Sequence, residues 1–115
     1  MALEAQTKKE GAVAIITLSG KITLGEGSQA VRKAVEQLLA EGHPKIVLNL
    51  AGVPFIDSAG LGALTVSYKM TETAGGRLKL AEPQNRVEDA LEMTRLTRLF
   101  PLYKTEKEAV ESFAA

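Results

Sequence analysis

The run Ile46-Val47-Leu48-Asn49-Leu50 is apolar at almost every position, with Asn49 the one interruption. A strand that faces water on one side alternates apolar and polar residues. A short continuous run instead reads as a strand covered on both faces, as in a parallel sheet enclosed by helices. Parallel neighbours cannot be joined by a tight hairpin. They need a crossover, usually a helix. This one run therefore constrains the chain to an α/β arrangement in which strands alternate with helices.

The flanking sequence supplies those elements. Leu3 to Lys9 alternates weakly, Glu10-Gly11 is a turn signal, and Val13 to Leu18 is rich in β-branched residues, so an N-terminal β-hairpin is predicted. Lys8 and Lys9 suit its outer strand as an edge, where charge discourages unwanted pairing. Gly20 to Gly27 reads as a loop. From Ser28 onward Val31, Val35, Leu38 and Leu39 share one helical face, and Gly42 and Pro44 end the helix. After the apolar run, Gly52-Val53-Pro54 turns the chain into a helix from Ala59 to about Ala74. Arg77-Leu78-Lys79-Leu80-Ala81 alternates polar with apolar residues and is the next strand. Asn85, with Glu88 three residues on, reads as the cap of a third helix. Leu99 to Tyr103 is a short strand or extended link. Thr105 opens a final capping box, with Ala109, Val110 and Phe113 docking the last helix. The expected whole is one domain over residues 1–115: a mixed sheet of four to five strands packed by about four helices.

The junction after the apolar run draws most attention. In Phe55-Ile56-Asp57-Ser58-Ala59-Gly60-Leu61-Gly62, Ser58 is a good N-cap, and Leu61, Leu64, Thr65 and Tyr68 follow at helical spacing. Two glycines in the opening turns each cost up to about 1 kcal/mol against alanine. The small side chains of Ala59, Gly60 and Gly62 leave the Ser58 hydroxyl approachable. A helix N-terminus also favours an anion through its free N–H groups and dipole. These features describe a serine able to accept a phosphoryl group, which would add about −1.5 to −2 charges beside Asp57 without unfolding the helix. From the residues alone, a plain turn-and-cap role for Asp57 and Ser58 stands equally open.

Asp-Ser-Ala-Gly-Leu-Gly after an apolar strand resembles the signature of the STAS domain, in particular the bacterial anti-sigma factor antagonists, and the order of elements over about residues 3 to 113 is similar. The segment from Leu91 to Tyr103 resembles the family's C-terminal part. The resemblance implies the STAS fold. It implies phosphorylation at Ser58, the serine directly after the aspartate. It also implies a partner surface built from Asp57, Ser58, Ala59, Gly60, Leu61 and Gly62, with Thr23, Gly25 and Glu26 from the preceding loop. The implied partners are an anti-sigma factor that is a serine kinase, released by phosphorylation, and a serine phosphatase that resets the switch. ATP and magnesium would belong to the kinase, and the chain would carry no cofactor of its own. Many family members read Gly-Glu-(Leu/Ile)-Asp after the second strand, whereas this chain has Gly20-Lys21-Ile22-Thr23. Both acids are replaced. STAS-like domains also serve as scaffolds in stress-sensing or in lipid- and anion-transport complexes without phospho-switching, and a rim of Ile22, Leu24, Phe55 and Leu61 would suit that alternative.

Composition narrows the remaining classes. Lys+Arg and Asp+Glu are 14 each, aromatic residues are 4%, and Trp is 0, which argues against nucleic acid as a direct partner. Cys is 0, which removes disulfides, thiol nucleophiles and thiolate metal sites. No signal peptide and no apolar run near the roughly 18 residues of a membrane span is visible, so a cytoplasmic, non-inserted protein is expected, a monomer by default. An enzyme with Ser58 as nucleophile would need a base. His43, the single histidine, lies at a helix exit, and no Gly-x-Ser-x-Gly elbow or metal-ligand spacing occurs. Pairing among the carboxylates of Asp57, Glu26 and Glu82 is conceivable but nothing in the sequence requires it. The expectation is a binding module, with neither catalytic nor metal residues.

Overall fold

A computed structural model describes residues 3–114. β1 (Glu4–Glu10) and β2 (Val13–Ser19) form the antiparallel hairpin, with Glu10 opposite Val13 across a two-residue turn. Then come α1 (Glu26–Ala40), β3 (Lys45–Gly52), α2 (Ser58–Thr73), β4 (Arg77–Ala81) and α3 (Asn85–Met93). A 3-10 turn at Leu96–Arg98, β5 (Leu102–Tyr103), α4 (Glu106–Glu111) and a last 3-10 turn at Ser112–Ala114 complete the chain. The sheet runs β1-β2-β3-β4-β5. β2, β3, β4 and β5 pair in parallel. The mixed sheet and its α/β architecture are those expected.

The alternation of side chains across β2, β3 and β4 sorts the core into two faces. Ile16, Leu18, Ile46, Leu48, Leu50, Leu78 and Leu80 pack against Val31, Val35 and Leu38 of α1 and Leu64 of α2. Val87, Leu91 and Phe100 extend the same cluster. Each fully buried Leu or Ile contributes about 1.5–3 kcal/mol. The opposite face is smaller: Val13, Ile15, Val47 and Ala81 are covered by Ala109, with Tyr103, Val110 and Phe113 at its margin. β3 is thus buried on both sides, as its apolar run required. β1 is exposed along its whole length and forms one edge of the sheet.

Three local expectations are corrected. α1 begins at Glu26, two residues before Ser28, because Gly25 adopts φ 95° at the cap and lets the chain turn early. α3 is capped by Gln84 with no side-chain bond, and Asn85 is its first helical residue. The Gln84 amide is spent elsewhere, donating to the Ala51 carbonyl at 2.7 Å. The alternation read in Arg77 to Ala81 does not leave Lys79 in water. Lys79 is buried beneath α4, where its Nζ donates to Ser112 Oγ at 2.6 Å and lies 4.0 Å from the Phe113 ring centre. At α4 the expected cap is present: the Glu108 N–H donates to Thr105 Oγ1 at 3.1 Å.

Candidate functional site

The carboxyl ends of β2 and β3 lie side by side, and the chain leaving each follows the other beyond the sheet. Gly20 N donates to Gly52 O at 2.9 Å, Ile22 N to Phe55 O at 3.1 Å, and Asp57 N to Ile22 O at 3.3 Å. Ile22 and Ile56 form an isolated parallel bridge, and both side chains are buried. The loop after β2 is therefore zipped onto the segment that feeds α2. Open α/β sheets bind ligands at this kind of strand-end crevice.

Asp57 closes the zipper. It is the N-cap of α2, in extended conformation, and its Oδ1 accepts from Gly60 N at 2.8 Å. Its Oδ2 accepts from Leu24 N at 3.1 Å. The carboxylate thus binds the helix start to the loop. These backbone donors, Gly60 first and Leu24 second, hold its carboxyl below the usual carboxylate range. The expectation that Ser58 caps the helix is corrected here. Ser58 is the first helical residue, because the aspartate before it turns its side chain back to the helix. Both oxygens of Asp57 are committed to backbone N–H groups. Ser58 is exposed, and among the described residues no hydrogen bond ends on its hydroxyl.

The two glycines of the motif differ. A Cβ on Gly60 would overlap the Ile22 carbonyl oxygen and crowd Ile56. The close approach of loop and helix requires glycine there. A Cβ on Gly62 would meet nothing within 4 Å. Gly62 is exposed, and with Ala59, Ala63 and Val66 it lines a shallow groove bordered by Ser28 and Arg32 of α1.

The remaining expected residues fall on the same end of the molecule. Thr23 is half-buried and its carbonyl accepts from Ser28 N at 2.9 Å, which pins the entry to α1. Gly25 is the cap of α1, and Glu26 is exposed in its first turn. Ala59 is partly buried beside Ser58, and Leu61 is partly buried against the main core. The predicted rim divides: Ile22 is core, whereas Leu24 is 81% exposed and Phe55 38%. His43 precedes β3 and Ser58 follows it. The eight residues of β3, at about 3.3 Å each, put the two at opposite ends of the sheet. The carboxylates of Asp57, Glu26 and Glu82 are not paired. Glu82 instead accepts from Glu106 N at 2.8 Å.

Sequence reasoning did not find the polar network on the second face. Asn49 is nearly buried, its amide donates to Glu106 Oε1 at 2.9 Å, and its carbonyl oxygen accepts from Ala51 N at 2.9 Å. Lys8 reaches the other Glu106 oxygen at 3.0 Å. Burial pushes the Glu106 carboxyl up, but the Asn49 amide and the Lys8 ammonium outweigh it, so its pKa is lowered overall. The one signal available was the asparagine inside an apolar run. Among the described residues no three His, Asp or Glu side chains gather as metal ligands, and no helix is long and apolar enough to cross a membrane.

Fold and site together define a small α/β module that presents one uncommitted serine at the start of an internal helix, beside a loop locked in place. The STAS domain model matches residues 4–109, and the chain belongs to that family. A Thermotoga neapolitana homologue of the protein TM1081 is 35% identical over 98 residues, covering 84% of this chain and 87% of that one. The Anti-sigma F factor antagonist of Paenibacillus polymyxa is 29% identical over 111 residues, covering 96% of this chain and 94% of its own. The crystal structure of TM1081 from Thermotoga maritima superposes with a TM-score of 0.89 at 30% identity, covering 96% and 95% of the two chains.

Proposed function

We propose that this STAS domain is an anti-sigma factor antagonist whose docking is switched at Ser58. In the unphosphorylated form the surface around Ser58 and Leu24 binds an anti-sigma factor that is a serine kinase, and the sigma factor is freed. The Ser58 Oγ then attacks the γ-phosphorus of the kinase's ATP. A base on the kinase takes the hydroxyl proton, ADP leaves, and the phosphoserine is released. A phosphatase hydrolyses the ester to restore the docking form. All chemistry other than acceptance belongs to the partners.

The observation that carries this reading is the division of labour between Asp57 and Ser58. The cap of α2 does not depend on the Ser58 hydroxyl. Here the aspartate holds the cap and the loop, so a phosphoryl group on Ser58 leaves the scaffold standing and acts on whatever docks. The new charge, about −1.5 to −2, meets the partner surface directly.

Mass spectrometry of protein from its own host should place a single phosphate on Ser58. A Ser58→Asp variant should lose at least tenfold in affinity for the kinase, the scale expected when an unpaired charge enters an interface. Ser58→Ala should bind constitutively. Equal binding by all three forms would refute the switch. Capture with scaffold or transporter subunits and no phosphate would favour the scaffolding alternative.

A further inference from the structure

We infer that Leu24 is the apolar anchor of the docking surface, that it enters a leucine-sized apolar pocket on the anti-sigma kinase, and that Asp57 is the positioning residue that fixes it. The inference rests on the docking function proposed above. Leu24 is the most exposed large aliphatic side chain of the loop–helix junction, at 81%. Among the described residues nothing covers it, yet its backbone is not a loose tip. The chain is bonded to β3's exit at Gly20 and Ile22, and to the first turn of α1 where Ser28 N donates to Thr23 O. Leu24's own N–H is held by Asp57 Oδ2. The loop also packs closely on the first turn of α1, where a Cβ on Gly27 would lie 2.8 Å from the Lys21 carbonyl oxygen. A leucine held out on an ordered backbone has already met most of the ordering cost of binding, so its burial counts nearly in full toward affinity.

Position and charge identify the occupant. The Asp57 carboxylate holds the Leu24 backbone N–H and Asp57 directly precedes Ser58, which sets Leu24 in the same junction as the serine that a kinase must reach. Phe55, 38% exposed, borders the same junction. The loop's exposed charges, Lys21 and Glu26, are of opposite sign. Attraction by net charge is therefore weak, and apolar burial is the main term left. Each Asp57 oxygen holds a backbone donor, one from the loop and one from the helix, so this side chain ties the two together.

The test begins with the host's anti-sigma kinases, each purified and incubated with this chain and ATP. The kinase that phosphorylates Ser58 is the probe for calorimetry in the presence of ADP. Leu24→Ala should weaken binding roughly tenfold to a hundredfold. Its thermal midpoint should stay at the wild-type value, and Leu24→Met should restore most of the affinity. Asp57→Asn should weaken binding less. It should also speed amide hydrogen exchange at Leu24 and Gly60, which a direct contact role would leave unchanged. Wild-type affinity in Leu24→Ala, with Ser58 still phosphorylated, would overturn the anchor and spare the switch. Unchanged exchange at Leu24 in Asp57→Asn would overturn the positioning role. If no kinase modifies Ser58, the docking function itself fails and the anchor falls with it.

Discussion

α2 and α4 both start just beyond the carboxyl end of a parallel strand, and both starts are bonded to a distant carboxylate or amide. At α4 every strong polar group is answered from within. Thr105 caps the helix, Glu82 accepts the Glu106 N–H, and Asn49 and Lys8 take the two Glu106 oxygens. Glu82 even adopts φ 56° to place its carboxylate there, a conformation that non-glycine residues visit at a cost. At α2 the aspartate answers two backbone donors and the next residue answers none. One helix start closes the fold; the other closes the fold with one residue and displays the next. A helix N-terminus is thus no guide to function until its donors and acceptors have been assigned.

The comparison breaks hardest at Gly60. Its absent side chain is what allows the Ile22 backbone to lie against α2. Gly60→Ala should cost on the order of 3 kcal/mol, the upper range for overpacking against atoms that cannot yield. Thermal melts should show a drop on the order of 10 °C. A loss below 1 kcal/mol would show that loop and helix part easily, and the locked loop would have to be abandoned.

At the α4 side the corresponding test is Asn49→Ala. It removes the acceptor from the part-buried Ala51 N–H and a donor from the half-buried Glu106, and a lost hydrogen bond costs about 0.5–1.5 kcal/mol, or about 1.5–3 kcal/mol where one partner is charged. Urea denaturation should show a loss near 2 kcal/mol with docking to the kinase unaffected. Lost docking at full stability would show that the second face is functional too.

These two sites also mark where the sequence was legible. The continuous apolar run and the β-branched stretches made the strand order readable, because burial on both faces leaves a compositional trace. The Asp57-Ser58 junction was located but assigned one residue off. Both side chains cap helices well, and only the fold decides which one turns back. The zipper from Gly20 to Ile22 along Gly52 to Asp57 left no trace, since its bonds are backbone to backbone across more than thirty residues of chain. Lys79 looked like a solvent-facing residue in an alternating strand, and Phe113, thirty-four positions on, is what covers it.

A smaller effect separates the two carboxylates by pH. Both are lowered when folded, so each contributes stability that is present above its unfolded pKa, about 4, and lost as pH falls through the folded value. The stability gap between wild type and Asp57→Asn should be full at pH 7 and shrink below about pH 4. Glu106→Gln should behave alike, but with part of its gap screened by salt through the Lys8 pair. A gap that grows on acidification would mean Asp57 is not an anionic acceptor of the Leu24 and Gly60 amides.

The smallest change carries the opposite sign. Gly62 lies two residues beyond Gly60 in the same helix, yet a Cβ there would meet only open space. Alanine relieves the conformational cost of a helical glycine, so Gly62→Ala should stabilise by about 0.5–1 kcal/mol and raise the melting midpoint by a few degrees. The fold therefore gains nothing from glycine at 62, whereas at 60 it depends on it. Measured on one helix, the two substitutions separate a glycine required by internal contact from one whose only neighbour would come from outside. A melting midpoint that fell in Gly62→Ala would remove that distinction and leave both glycines as parts of the scaffold.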